Sequence, residues 1–151
     1  MIHALHRWWL SHRGDDIPER ISLDPVDLKR LLPNLMISDI EDDPFRVRYR
    51  LVGTNMVSAT GLDFTGRYLD ELVPADRDGH RLLDYRTAYS DRLPVLGTSS
   101  VTTSVGNRSA YEYGIFPLRN GGTPVAQFVE LEDYFAPNRG SGALQKWRIK
   151  R

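Results

Sequence analysis

Phe45-Arg46-Val47-Arg48-Tyr49-Arg50-Leu51-Val52 is the stretch that decides the fold. Successive side chains of a strand point to opposite sides. Phe45, Val47, Tyr49 and Leu51 therefore share one face, and Arg46, Arg48 and Arg50 the other. One apolar and one charged face is the pattern of an antiparallel strand that covers a core on one side and meets water on the other. Glu41-Asp42-Asp43-Pro44 just before it reads as a turn, and residues 35–41 before that turn read as its partner strand. Residues 35–53 together form a hairpin.

Working outward, Gly53-Thr54-Asn55 leaves the strand and opens a short helix that ends at Gly61. Asp63 to Gly66 is a turn in which Gly66 supplies a positive φ and Asp63 or Thr65 a cap. Tyr68 to Leu72 is a helical turn closed by Pro74. Residues 75–91 form a longer helix with Leu82, Tyr85 and Tyr89 on one face and Leu83 beside them. Residues 94–105 are β-branched without helical period and read as a strand. Tyr111, Tyr113 and Ile115 alternate with Glu112 and Gly114 in the next strand. Asn120-Gly121-Gly122 is a hairpin signal, and residues 125–132 are the last strand. Toward the N-terminus, Asp24-Pro25 is a helix start whose buried face is Leu28, Leu31 and Leu32, stopped by Pro33. Residues 2–12 are a helix bearing Ile2, Leu5, Trp8 and Trp9. Strands joined by short turns are antiparallel, and helices set between two blocks of strands cover one face of the sheet. The fold class is α+β.

The chain has 151 residues, 40% hydrophobic and 26% charged, which is the composition of one globular domain. Twenty basic residues balance twenty acidic ones, and a formal charge of zero argues against a global trap for polyanions. Cysteine is absent, which removes disulfides, thiolate zinc sites, iron–sulfur clusters and a Cys nucleophile. No run approaches the ~18–20 apolar residues of a membrane span. The first ten residues are too polar for a signal peptide. A cytoplasmic protein without membrane contact is expected.

The stretch from Phe45 to Thr54, followed by Gly61-Leu-Asp-Phe-Thr-Gly-Arg-Tyr-Leu-Asp-Glu-Leu72, resembles the signature of a bacterial PAS subfamily, the "PAS_5" type. Trp8-Trp9 on an opening helix and Asp24-Pro-Val-Asp-Leu-Lys-Arg-Leu-Leu-Pro33 are similar to that subfamily too. The likeness runs over about residues 4–133. It implies a five-stranded antiparallel sheet in the order 2-1-5-4-3, helices on one face and an extra N-terminal helix. The organisation expected is a helical extension over 1–34, a PAS core over 35–134 and a flexible basic tail over 135–151. It also implies a stand-alone sensory or regulatory domain in signal transduction. Its output would be ligand-dependent or partner-dependent protein–protein interaction. The alternative is a small-molecule or haem sensor whose occupancy is the signal. The partners implied are a second copy of the chain and a histidine kinase or other signalling protein. Nucleic acid is not among them.

The residues themselves offer little catalytic chemistry. The histidines are His3, His6, His12 and His80, three of them on the first helix, and no Gly-x-Ser-x-Gly elbow occurs. No catalytic residue and no enzyme activity is expected. His3 and His6 have the spacing of a helical metal pair, but no third ligand stands near them, so no metal is expected. Haem-binding PAS sensors hold iron through a His on the longer helix, close to where His80 stands. The competing reading of His80 is an exposed or capping residue near the helix start, and that is the one we adopt. Flavin PAS photosensors use a reactive Cys that this chain lacks, which excludes flavin photochemistry.

Tyr49, Phe64, Tyr85, Tyr89, Tyr113 and Phe128, with His80, are the candidates for lining a ligand pocket, and the same aromatics also suit an ordinary core. Arg46, Arg48 and Arg50 could hold phosphate, or pair with carboxylates such as Glu130 and Glu132 on a neighbouring strand. Trp8 and Trp9 are adjacent and point ~100° apart. One helix on one sheet does not easily bury both indoles, so Ile2, Leu5, Trp8 and Trp9 are the candidates for a homodimer interface. The competing arrangement lays Trp8 against its own sheet or against residues 28–32.

Overall fold

The computed structural model describes residues 1–72, 79–102 and 108–134. The chain opens with α1 (Ile2–His12), runs through turns to a 3-10 turn at Leu32–Asn34, and enters β1 (Leu35–Asp42) and β2 (Phe45–Val52). Then follow α2 (Thr54–Thr60), α3 (Leu69–Leu72) and α4 (Gly79–Asp91). β3 (Val95–Thr102), β4 (Arg108–Leu118) and β5 (Gln127–Asp133) complete the order. The five strands form one antiparallel sheet in the order β2-β1-β5-β4-β3. The order that the resemblance implies is the one observed.

The register places the two long helices on opposite faces. Tyr113 bonds Asp84 of α4, whereas Phe116 meets the His6 ring of α1 at 6.0 Å. Residues 113 and 116 of one strand differ in parity, so their side chains leave the sheet on opposite sides. α1 thus covers an outer face and α4 an inner one. β5 lies in the middle of the sheet, and both its faces are buried.

Two sequence expectations change. Residues 25–31 make consecutive turns rather than an α-helix. Asp24 does cap them, accepting from the Val26 N–H at 2.8 Å. The bonds that follow mix i−3 and i−4 spacings, as at Leu31→Leu28 and Leu32→Leu28. Pro33 disfavours helical geometry at the residue before it, so no regular helix propagates. Leu28 and Leu31 are buried, but Leu32 is exposed. The arginine row, too, meets other partners than Glu130 and Glu132, because β1 stands between β2 and β5. Arg46 holds Asp70 through two bonds of 2.9 and 3.0 Å, and Arg50 reaches Asp39 at 3.3 Å. Glu130 and Glu132 belong to the inner face.

The free edge of β2 is covered locally. The Tyr49 N–H donates to the Arg67 carbonyl at 2.9 Å, and the Gly66 N–H donates to the Tyr49 carbonyl at 2.6 Å. Gly66 takes φ +85°, as expected of that turn, which lets the chain double back along the strand. An unpaired edge would otherwise invite another strand. The expected tail over 135–151 lies outside the described residues, as does the start of the expected helix at 75–78.

Candidate functional site

The inner face between the sheet and α4 carries charge where a core is normally apolar. Phe128, Glu130 and Glu132 alternate along β5 and face α4, and both glutamates are buried. Their opposites on β4 are Pro117, Ile115 and Tyr113. α4 answers with Arg81, Asp84, Tyr85 and Ala88, all buried. These four recur at i, i+3, i+4 and i+7, so they form one stripe. The stripe differs from the expected one: Leu83 is exposed and Leu82 and Tyr89 are only half-buried.

Two groups of bonds fill this space. In the first, Glu130 is wholly buried and accepts from Ser38 Oγ of β1 at 2.5 Å and from the Tyr85 hydroxyl of α4. The Tyr49 hydroxyl of β2 lies 3.2 Å from that of Tyr85. Since Tyr85 gives its proton to Glu130, Tyr49 is the donor in that pair. In the second, the Arg81 guanidinium is paired with Glu132, whose other oxygen accepts from Tyr134 at 2.7 Å. Arg81 also lies over the Tyr113 ring at 4.3 Å, a cation–π contact. Tyr113 donates to Asp84 at 2.5 Å. The other terminal nitrogen of the Arg81 guanidinium, Nη1, is buried without a hydrogen-bond partner among the described residues.

Gly97 makes room for this arrangement. It stands opposite Tyr113 in the β3–β4 register, and a Cβ there would come within 2.5 Å of the end of the Tyr113 ring. The glycine lets that ring lie across the sheet.

Burial sets the electrostatics. Glu130 is pushed up to about 7, because its charged form loses water and the hydroxyls of Ser38 and Tyr85 only partly offset that loss. Burial, and then the neighbouring Glu130 charge, hold the Tyr85 and Tyr49 phenols well above their ordinary range. Every tyrosine here is therefore a neutral hydrogen-bond donor near pH 7.

The pocket candidates separate into two sets. Tyr49, Tyr85, Phe128 and Phe64 are brought together, with ring separations of 5.3 Å for Tyr85–Phe128 and 4.7 Å for Tyr49–Phe64. Tyr113 joins them through Arg81, which also lies over the Tyr85 ring at 5.8 Å. Tyr89 stands apart, against Phe45 at 5.3 Å and hydrogen-bonded to Asp42. His80 is exposed on the first turn of α4. Sequence reasoning missed Arg81, Asp84 and Ser38 altogether and assigned Glu130 and Glu132 to the wet face.

On the outer face, Ile2, Leu5, Trp8 and Trp9 are all buried within the single chain. The reason for expecting a second chain over the helix is an indole left uncovered, and neither is: Trp8 is 7% exposed and Trp9 0%. Trp9 donates its indole N–H to the Pro117 carbonyl at 2.9 Å. Trp8 stacks on His12 at 4.8 Å and lines a groove with Val26, Leu28 and Leu31. The competing arrangement of Trp8 against the segment after the first helix is the one present. His6 is half-buried, and its pKa is lowered by burial and then by His3.

Among the described residues no helix is long and apolar enough to cross a membrane. The light-state LOV domain of the blue-light photoreceptor Aureochrome1 is similar in fold, with a TM-score of 0.53 and 15% identity, covering 76% of this chain and 90% of that one. An RNA-binding light-oxygen-voltage receptor gives 0.56 and 19% identity, covering 80% of this chain and 34% of its own. The PAS domain of a protein from Colwellia psychrerythraea gives 0.54 and 9%, covering 74% and 97%. No curated protein matches the sequence. The sequence matches the family described as PAS domain over residues 2–129, a span that runs from α1 into β5. With the sheet order and this match together, the chain belongs to the PAS domain family.

Proposed function

We propose that this PAS domain is a sensory and regulatory module that signals by shifting how α4 packs on the sheet, with no catalytic step. PAS domains are in general sensory signalling domains. The observation that carries the reading is the polar contact between α4 and the sheet. Arg81, Asp84 and Tyr85 meet Glu132, Tyr113 and Glu130 through directional bonds. An apolar interface tolerates small slides, whereas a network of buried bonds has distinct satisfied and unsatisfied arrangements. A partner or ligand that favours one arrangement shifts the population toward it.

The test joins mass and exchange. Protein purified from its own host is weighed under native conditions, and amide exchange of α4 is compared between the free species and any species of added mass. The expected result is that a bound partner or ligand changes α4 and β5 protection together. A bound species that leaves both unchanged contradicts the reading.

A further inference from the structure

Glu130 differs from Glu132, the other buried glutamate of the inner face, in what holds it. Glu132 has a guanidinium, and its second oxygen takes the Tyr134 hydroxyl. Among the described residues Glu130 has hydroxyls only, Ser38 from β1 and Tyr85 from α4. The groups that face it are, from α4, Tyr85, Arg81 and, one step further, Asp84. β2 adds Tyr49 and β5 adds Glu132. On β4, the residue directly opposite is Ile115, with Tyr113 beyond it. Arg81, the cation among them, is already paired with Glu132.

The direction of the hydroxyl chain follows from the charge of Glu130. Ionised, it accepts from Ser38 and Tyr85, and Tyr49 donates to Tyr85. All bonds are then satisfied, but a charge sits in the core with no cation of its own. Protonated, the carboxyl has a proton to give. It reverses either the Tyr85–Tyr49 pair or the Ser38 hydroxyl, and the core loses its uncompensated charge.

We infer that Glu130 is a proton-operated latch between α4 and the sheet: protonated, it lets α4 close on β5, and ionised, it loosens α4 so that the carboxylate can reach water. The burial that pushes its pKa up to about 7 places the change where small shifts of pH matter. The latch rests on the reading that α4 packing carries the signal. It adds that the proton is one of the inputs.

The sign follows from linkage. The closed form holds its proton up to about pH 7. A hydrated glutamate releases its proton near ~4.3. Closure is therefore fully favoured below the ordinary glutamate range and loses that advantage as the pH rises through about 7.

Amide exchange of α4 in the full chain, measured from pH 5 to 9 and corrected for the intrinsic effect of pH on exchange, reads the latch directly. Opening of α4 should rise about tenfold per pH unit from the ordinary glutamate range toward neutrality and level off above it. In Glu130→Gln, which cannot ionise, the slope should vanish. In Ser38→Ala, which removes a donor to the charged form, the levelling should move to higher pH. A wild-type α4 with no pH slope, or an equal slope in Glu130→Gln, overturns the latch. If Glu130→Gln does not fold, Ser38→Ala decides: an unmoved transition overturns it. The two readings fail separately. A pH-independent α4 that still answers a bound partner sinks the latch alone, and a pH-dependent α4 indifferent to every bound species sinks the signalling reading alone.

Discussion

The two faces of the sheet are built on opposite principles. Beneath α1 the contact is apolar: Leu5 and Trp9 meet a surface of Phe116, Leu118, Val129 and Leu131, all fully buried. A directional bond within it, among the described residues, is the Trp9 N–H to the Pro117 carbonyl. Beneath α4 the contact is an ion pair and a set of hydroxyl bonds. Apolar burial is non-directional and roughly proportional to area, so the outer face favours folding whatever its fine geometry. Buried polar bonds contribute little net, because each replaces bonds to water, but each is costly to leave unmade. The outer face holds the domain together, and the inner face specifies which arrangement of α4 counts as complete. β5 serves both, through Val129 and Leu131 on one side and Phe128, Glu130 and Glu132 on the other.

That contrast breaks most visibly at Trp9. Trp9→Ala removes a wholly buried indole and its bond to Pro117. The expected loss is about 4 kcal/mol of unfolding free energy, from transfer and cavity terms together. Urea denaturation measures it. A loss below about 1 kcal/mol would mean that α1 is not the structural face.

The inner face should respond to single and double changes differently. Arg81→Met leaves the Glu132 carboxylate buried without its guanidinium and should cost about 3 kcal/mol. Arg81→Met combined with Glu132→Leu removes both charges and should recover most of that loss. A double variant no more stable than the single one would show that the pair itself stabilises. Gly97→Ala tests the same face by crowding. A Cβ there meets the Tyr113 ring, which must leave Asp84, for a cost of about 2 kcal/mol by thermal or urea unfolding. Tyr113→Phe in the same background should then add less than it does alone, since the bond it deletes is already strained.

How legible this was in the sequence follows from the same contrast. Alternation in β2, the turns around it and the glycines at 66 and 121 report local geometry, and the strand order followed from a resemblance carried by those same residues. The α4 stripe was not legible. Periodicity arguments look for apolar residues, so they predict a face of Leu82, Tyr85 and Tyr89 with Leu83 beside it, and of these only Tyr85 belongs to the buried stripe that Arg81, Asp84 and Ala88 complete. In the same way Glu130 and Glu132 look solvated until β5 is known to be central. One signal was present: Tyr49, Tyr85 and Tyr113 placed in a core need partners for three hydroxyls, and buried acids are among the acceptors that can supply them. The burial of two adjacent indoles by one chain depends on the path of residues 25–31, where local signals predict a helix and the structure has turns.

The smallest effect is expected on the exposed side of the edge strand β2, along Arg46, Arg48 and Arg50. Arg46 grips Asp70 and lies over the Tyr68 ring at 3.6 Å, Arg48 reaches the Gly66 carbonyl at 3.3 Å, and Arg50 reaches Asp39. All of these contacts are exposed, and exposed ion pairs gain little because water screens them and the side chains lose freedom. Asp39, Glu41, Asp70 and Glu71 offset the positive charge locally. A surface so balanced does not gather the counterion-releasing contacts that a nucleic-acid backbone requires. Changing all three arginines to glutamine should leave the melting midpoint within a degree or two of wild type. Neither protein should bind a short single-stranded RNA in a salt-dependent way. Wild-type RNA binding that weakens steeply with salt and disappears in the triple variant would make this row a recognition surface, and the domain would then have a working surface at its β2 edge besides the two that α1 and α4 cover.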